Sequence, residues 1–174
     1  MAEIINLDEF KKNKKKKNPL EQEKQSKISF SILKVTLSDK LGGGIREKSY
    51  RVLSIPNKQT LSMLAQFILT SFDFELDHEY GYFDNIENWI QSQEIYLMDG
   101  DASFRSTGYV TKVTVGEVFN VPDKKMLFLF DYGDEWSFII ELIRTEVPAG
   151  NVKFTPKVIE KKGNPPPQYP DFEA

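Results

Sequence analysis

The chain of 174 residues has no cysteine and a single histidine, His78. Without thiols there is no disulfide scaffold, thiolate nucleophile, iron–sulfur cluster or Cys-ligated zinc. With one imidazole, a Ser-His-Asp triad would have to use His78, and a multi-histidine metal site within one chain is excluded. Arginine is scarce as well, confined to Arg46, Arg51, Arg105 and Arg144. No apolar run approaches the ~20 residues that span a bilayer, so no membrane partner is expected. The opening MAEIINLDEFKK lacks a basic-then-apolar leader with a small-residue cleavage site, and the expected location is cytoplasmic.

What is abundant is aromatic and charged. Hydrophobic residues make up 40% of the chain, with 13 Phe, 7 Tyr and 2 Trp, enough to bury a core and to exclude wholesale disorder. The length fits a single domain. Charge divides the chain in two. Residues 1–27 hold eight lysines against five acids, so the rest carries the negative charge that gives a net of −3. Lys11, Lys12, Lys14, Lys15, Lys16 and Lys17 repel one another too strongly to form a packed face, which predicts a disordered basic tail over 1–27 and a domain over 28–174. Such a tail can grip a nucleic acid by releasing counterions, or simply solubilise; it has no Arg and no interleaved aromatics.

Residues 28–37 largely alternate apolar and polar, and residues 50–55 return to Pro56, so a hairpin is expected across Gly42-Gly43-Gly44. That glycine run lacks the Lys and Ser/Thr of a phosphate loop. Thr60 caps a helix whose face is Leu61, Leu64, Ala65, Ile68 and Phe72. A strand is expected from His78. Asp84 and Glu87 have capping-box spacing for a short helix, as do Thr114 and Glu117. Residues 94–98 read as a strand, and Asp99-Gly100-Asp101 opens a loop running to Gly108. Residues 125–130 and 136–143 form a second hairpin expected at the centre of the sheet. Residues 152–159 suggest an edge strand broken at Pro156, and the proline-rich stretch 163–170 is expected to pack across the body. The fold class is α+β: a mostly antiparallel sheet, one main helix (about 60–72) on one face, and short helices.

Several patches together resemble the plasmid pRiA4b ORF-3-like family. Phe130-Asp-Tyr-Gly-Asp-Glu-Trp136 leading into Ile139-Ile-Glu-Leu142 is similar to its Tyr-Asp-Phe-Gly-Asp-Asp-Trp run. Thr60-Leu61 opening a helix that ends at Phe72-Asp73-Phe74, with His78 and Tyr82 beyond, is similar to its helix and following His and Phe. Arg51 with Pro56, and Gly163 to Tyr169, match two further patches. Tyr50 and Phe74 stand where the family has Trp, and Phe138 where many members have His. The resemblance implies an α+β domain and no established activity. Members are often labelled resolvase-like, but recombination needs an arginine cluster that this chain lacks.

Two readings of the acidic and aromatic residues stay open. In one, a protein partner binds a surface of Arg51, His78, Tyr82, Asp131, Tyr132, Asp134, Glu135 and Trp136, with no cofactor and no catalytic residue. In the other, Asp73, Asp77, Asp131 and Asp134, with Glu135, hold Mg²⁺ or Ca²⁺ and His78 acts as base in a hydrolase or nuclease-like accessory. Structural roles compete with both. Asp131 and Asp134 can cap a tight hairpin in which Gly133 supplies a positive φ, and the aromatics can simply be core.

Overall fold

A computed structural model describes residues 28–39, 46–102, 105–150 and 152–169. The tail lysines Lys11, Lys12 and Lys14 to Lys17, and the Gly42–Gly44 turn, lie outside the described residues. Among the described residues, eight strands form one open, mixed sheet: β1 (Phe30–Asp39), β2 (Arg46–Pro56), β3 (Tyr80–Phe83), β4 (Ile95–Leu97), β5 (Gly108–Tyr109), β6 (Lys125–Phe130), β7 (Trp136–Glu146) and β8 (Lys157–Lys162). Their order is β5-β4-β3-β6-β7-β1-β2-β8, so the β6–β7 hairpin does sit at the centre. All pairings are antiparallel except β4 with β5. The 99–108 stretch therefore ends in a short parallel strand where a loop alone was expected. At the other edge, residues 152–156 are not strand, and β8 starts only after Pro156.

Helix α1 (Leu61–Ser71) covers one face. The Thr60 hydroxyl accepts the Met63 N–H at 3.3 Å, and Leu61, Leu64, Ala65, Ile68 and Leu69 are buried against Leu33, Val35, Leu53, Phe128 and Phe138 of the sheet. The helix ends in a Schellman motif. Phe74 N–H reaches Leu69 O at 2.9 Å and Asp73 N–H reaches Thr70 O at 3.1 Å, with Asp73 left-handed at φ 62° where glycine is usual. The other face carries a smaller cluster of Phe83, Ile95, Leu97, Leu127 and Leu129 beneath Ile86, Trp89 and Tyr132.

That covering segment departs from expectation. The capping box of Asp84 and Glu87 does not form, and only a 3-10 turn, Trp89–Gln91, is present. Side chains direct their hydrogen bonds to loop backbone instead: Asp84 accepts from Gln93 N–H, Asn85 from Asn88 N–H and Ser92 from Asn85 N–H. At α2 (Val115–Val118) the Glu117 carboxylate does accept from both the N–H and the hydroxyl of Thr114.

Arg51 is a staple inside the fold. It is 3% exposed. Its Nε donates to Ser71 O at 2.8 Å, and Nη1 faces the carbonyls of Tyr50, Lys162 and Gly163 at 2.9 to 3.2 Å. The guanidinium also lies 4.5 Å from the Phe72 ring centroid. The helix end, β2 and the end of β8 are thus joined through one cation. The Arg51→Met variant removes the charge, keeps much of the volume and strands four carbonyls. It is expected to lose about 2–4 kcal/mol in denaturant unfolding. Gly81→Ala should also destabilise, by about 1–3 kcal/mol, because its Cβ would lie 2.9 Å from the Phe83 ring.

Candidate functional site

β6 delivers the chain at Phe130 into the turn 131–135, and Asp131 sets its shape. Asp131 is left-handed at φ 57° and Glu135 at φ 52°, whereas Gly133 is not among the positive-φ glycines. The expectation that Gly133 supplies the left-handed residue is therefore corrected. Glycine there leaves room for a close approach. Its N–H donates to Asp131 Oδ1 at 3.0 Å, and a Cβ would stand 3.2 Å from that same oxygen. Asp131 Oδ1 also accepts from Asp134 N–H at 3.3 Å, so Asp131 does cap the hairpin. Its own N–H donates to Glu79 O at 2.9 Å, which ties the turn to the residues entering β3.

The other carboxylate oxygen points at the histidine. Asp131 Oδ2 lies 3.7 Å from His78 Nε2, while His78 Nδ1 lies 2.8 Å from Asp77 Oδ1. A carboxylate only accepts, so Nδ1 carries a proton in that contact. The C-terminal stretch completes the chain of contacts. The Tyr169 hydroxyl donates to Asp77 Oδ2 and stands 3.3 Å from His78 Nδ1. Gln168 fixes this stretch in place: its Oε1 accepts from Glu75 N–H at 2.7 Å and its Nε2 donates to Glu75 O at 3.0 Å. The proline-rich segment thus packs on the body, as expected.

Electrostatics follow from these contacts. The Asp77 contact, reinforced by Asp131 and Asp134, raises the His78 pKa above its ordinary 6.5. The Tyr169 hydrogen bond, with His78 behind it, holds Asp77 below its ordinary 3.8. The Tyr169 phenol, donating to Asp77, is pushed up to about 12. Burial raises Tyr132, helped by the negative charges of Asp101 and Glu79.

A cavity of about 690 Å³ opens here, lined by Leu76, His78, Glu79, Met98 and Tyr132 together with Asp77, Asp131 and Gly133. The Tyr132 ring stacks on Trp89 at 5.9 Å, and Trp136 meets Phe74 edge-on at 4.8 Å. The Tyr132 hydroxyl and Trp136 Nε1 are buried without a hydrogen-bond partner among the described residues.

Of the sequence candidates, His78, Asp77, Asp131 and Tyr132 come together at the cavity. Asp134 and Glu135 are exposed on the turn beside it. Trp136 packs behind it. Tyr82 is fully buried, donating to Leu61 O at 2.7 Å. Arg51 is the internal staple, and Asp73 ends α1. Among the described residues, no three His, Asp or Glu side chains are grouped so as to hold a metal ion. Leu76, Glu79 and Met98 escaped the sequence reading because hydrophobic spacing marks them only as strand or loop. Gln168 and Tyr169 had a signal, the family-like ending, but no role attached to it.

The family model for plasmid pRiA4b ORF-3-like protein matches residues 29–169. The chain belongs to the plasmid pRiA4b ORF-3-like family. No curated protein matches it. Among solved structures it is similar to a protein of unknown function, MM3350, from Methanosarcina mazei Go1, with a TM-score of 0.62 and 18% identity over 77% of this chain and 70% of that one. That likeness is one of fold. Phe138 is fully buried against Phe72, Phe74 and Phe128, so it serves the core.

His78 is the only histidine, so its imidazole resonances can be followed by NMR without assignment ambiguity. They should titrate above pH 6.5 and move back toward that value in Asp77→Asn. The signs for stability are opposite at the two ends. The raised His78 value contributes stability in full below pH 6.5, lost as pH rises through the folded-state pKa. The lowered Asp77 value contributes above pH 3.8, lost as pH falls through its folded-state pKa.

Proposed function

We propose that the chain is a cytoplasmic, non-enzymatic interaction module that holds a basic segment of a partner protein in the cavity beside the β6–β7 turn. The observation that carries this reading is the composition of the cavity wall. Carboxylates of Asp77, Glu79 and Asp131 stand beside the apolar surfaces of Leu76, Met98 and Tyr132. A lysine or arginine has the matching form, an apolar stem with a cationic head that seeks carboxylate oxygens. His78 is held from both sides and serves as a positioning residue that keeps Asp77 and Asp131 facing the opening. Left-handed backbone at Asp131 and Glu135 supports the same reading, since non-glycine residues in that region concentrate at functional turns. The metal-assisted alternative finds no support in the geometry, because Asp77 and Asp131 flank an imidazole and Asp73 serves to end the helix.

The test is calorimetric titration with octalysine and octaglutamate peptides. Octalysine is expected to bind and octaglutamate not to. Asp131→Asn keeps the amide oxygen for Gly133 and Asp134 N–H and suits a left-handed backbone, yet removes the charge. It should weaken octalysine about tenfold or more, the scale of one charge-assisted hydrogen bond. Absence of octalysine binding at low salt, or an unchanged affinity in Asp131→Asn, would refute the reading.

A further inference from the structure

His78 presents its two nitrogens to different neighbours. Nδ1 lies 2.8 Å from Asp77 Oδ1 and carries the proton of that contact. The Tyr169 hydroxyl, 3.3 Å from the same nitrogen, donates its own proton to Asp77 Oδ2. In the neutral ring the second nitrogen, Nε2, is therefore an acceptor. It faces Asp131 Oδ2 at 3.7 Å, beyond hydrogen-bond reach. Asp131 gives its other oxygen to the backbone of Gly133 and Asp134, and among the described residues no N–H or O–H donates to Oδ2. Two acceptors thus look at one another across the wall of the cavity, which His78 and Asp131 both line.

Each element packed around the ring adds negative charge. From the approach to β3 comes Asp77, with Glu75 acting on Tyr169. From the turn after β6 come Asp131 and Asp134. Glu79, and Asp101 from the loop after β4, act on Tyr132 in the same wall. The C-terminal stretch brings the Tyr169 phenol, and the Phe130 ring meets the imidazole edge-on at 6.2 Å. None of these groups is basic. A protonated ring puts an N–H where the neutral ring has a lone pair, and that N–H has Asp131 Oδ2 as its partner, a charge-assisted contact.

We propose that His78 Nε2 and Asp131 Oδ2 together receive the head of a ligand lysine and that a proton on Nε2 shuts this position, so that the cavity takes up a basic segment in exchange for a proton. The inference rests on the reading of the cavity as a site for such a segment. An ammonium has three N–H groups and no acceptor, so one nitrogen at about 2.9 Å from each atom donates to both. The imidazolium removes one of the two acceptors and places a positive charge on the same spot. Its proton leaves to the buffer when the ammonium arrives, and the site's charge is unchanged by the exchange. Asp77, held in turn by Tyr169, keeps the other proton on Nδ1, so it is always Nε2 that faces the cavity as acceptor. Uptake therefore strengthens as pH rises through the folded-state pKa of His78, which lies above 6.5.

The test titrates the full chain with octalysine at constant low salt from about pH 6 to about pH 8.5, where carboxylates stay ionised and lysines protonated. Affinity should rise about tenfold for each pH unit below the His78 midpoint and level off above it. Calorimetry in two buffers of different ionisation heat should count about one proton released per binding event below that midpoint. Because the coupling is reciprocal, saturating octalysine should lower the midpoint of the His78 imidazole resonances. His78→Gln has an N–H donor for Asp77 but does not titrate, so its affinity for octalysine should not follow pH over this range. If that variant does not bind, the imidazole midpoint of the parent protein decides alone. A parent affinity independent of pH, a midpoint unmoved by octalysine, or a pH dependence retained in His78→Gln would each overturn the exchange and leave the basic-segment reading standing. No octalysine binding at any pH would remove both.

Discussion

A buried guanidinium holding backbone carbonyls is the contact on which the arrangement of the site depends. Arg51 reaches Ser71 O at the end of α1 and Lys162 O and Gly163 O at the end of β8. Two consequences follow from that one cation. The helix end sets where Asp73 turns the chain left-handed and sends it toward Asp77 and His78. The end of β8 sets where the proline-rich segment starts, and hence where Gln168 and Tyr169 land. Desolvating a guanidinium is costly, and here the cost is offset by four oxygen acceptors and by the Phe72 face.

The site is then assembled from three pieces distant in sequence: the approach to β3, the turn after β6 and the C-terminal stretch. Each contributes one part of the chain Tyr169, Asp77, His78, Asp131. Such a chain is cooperative in sign, since the phenol and the imidazole both stabilise the Asp77 carboxylate, and that carboxylate in turn favours the imidazolium. Asp131 does double duty, with one oxygen shaping its own turn and the other facing His78. The turn's shape and the site's charge are therefore set by the same side chain.

How much of this was legible depends on range. Local chemistry read well. Thr60 and Thr114 announced their helices, the alternation of residues 28–37 and the apolar run 125–130 announced strands, and the Phe130 to Trp136 run carried the family. Where two local signals competed, the reading failed, as at Asp84, whose carboxylate went to Gln93 N–H rather than to a helix start. Conformational detail inside a turn was also out of reach: glycine at 133 suggested a positive φ, but Asp131 and Glu135 took it, and Gly133 instead sits close against the Asp131 carboxylate. Roles set by distant partners were invisible. Nothing near Arg51 in sequence says that Ser71 and Gly163 will surround it, and nothing near Gln168 names Glu75. Residues 108–109 could not be read as strand because two residues have no period.

An open sheet of eight strands has two margins at which unpaired N–H and C=O groups could recruit further chains. Here both are blunted by different means. On one side β5 is two residues long, too short to template a neighbour. On the other, the bulge at Ile159 interrupts the ladder and lysines at 157, 161 and 162 would place like charges against one another in any edge-to-edge pairing of copies. The short β5 and the bulged, lysine-bearing β8 thus act as a guard against the growth of sheets between molecules, keeping a β-rich, aromatic-rich chain from polymerising through its margins.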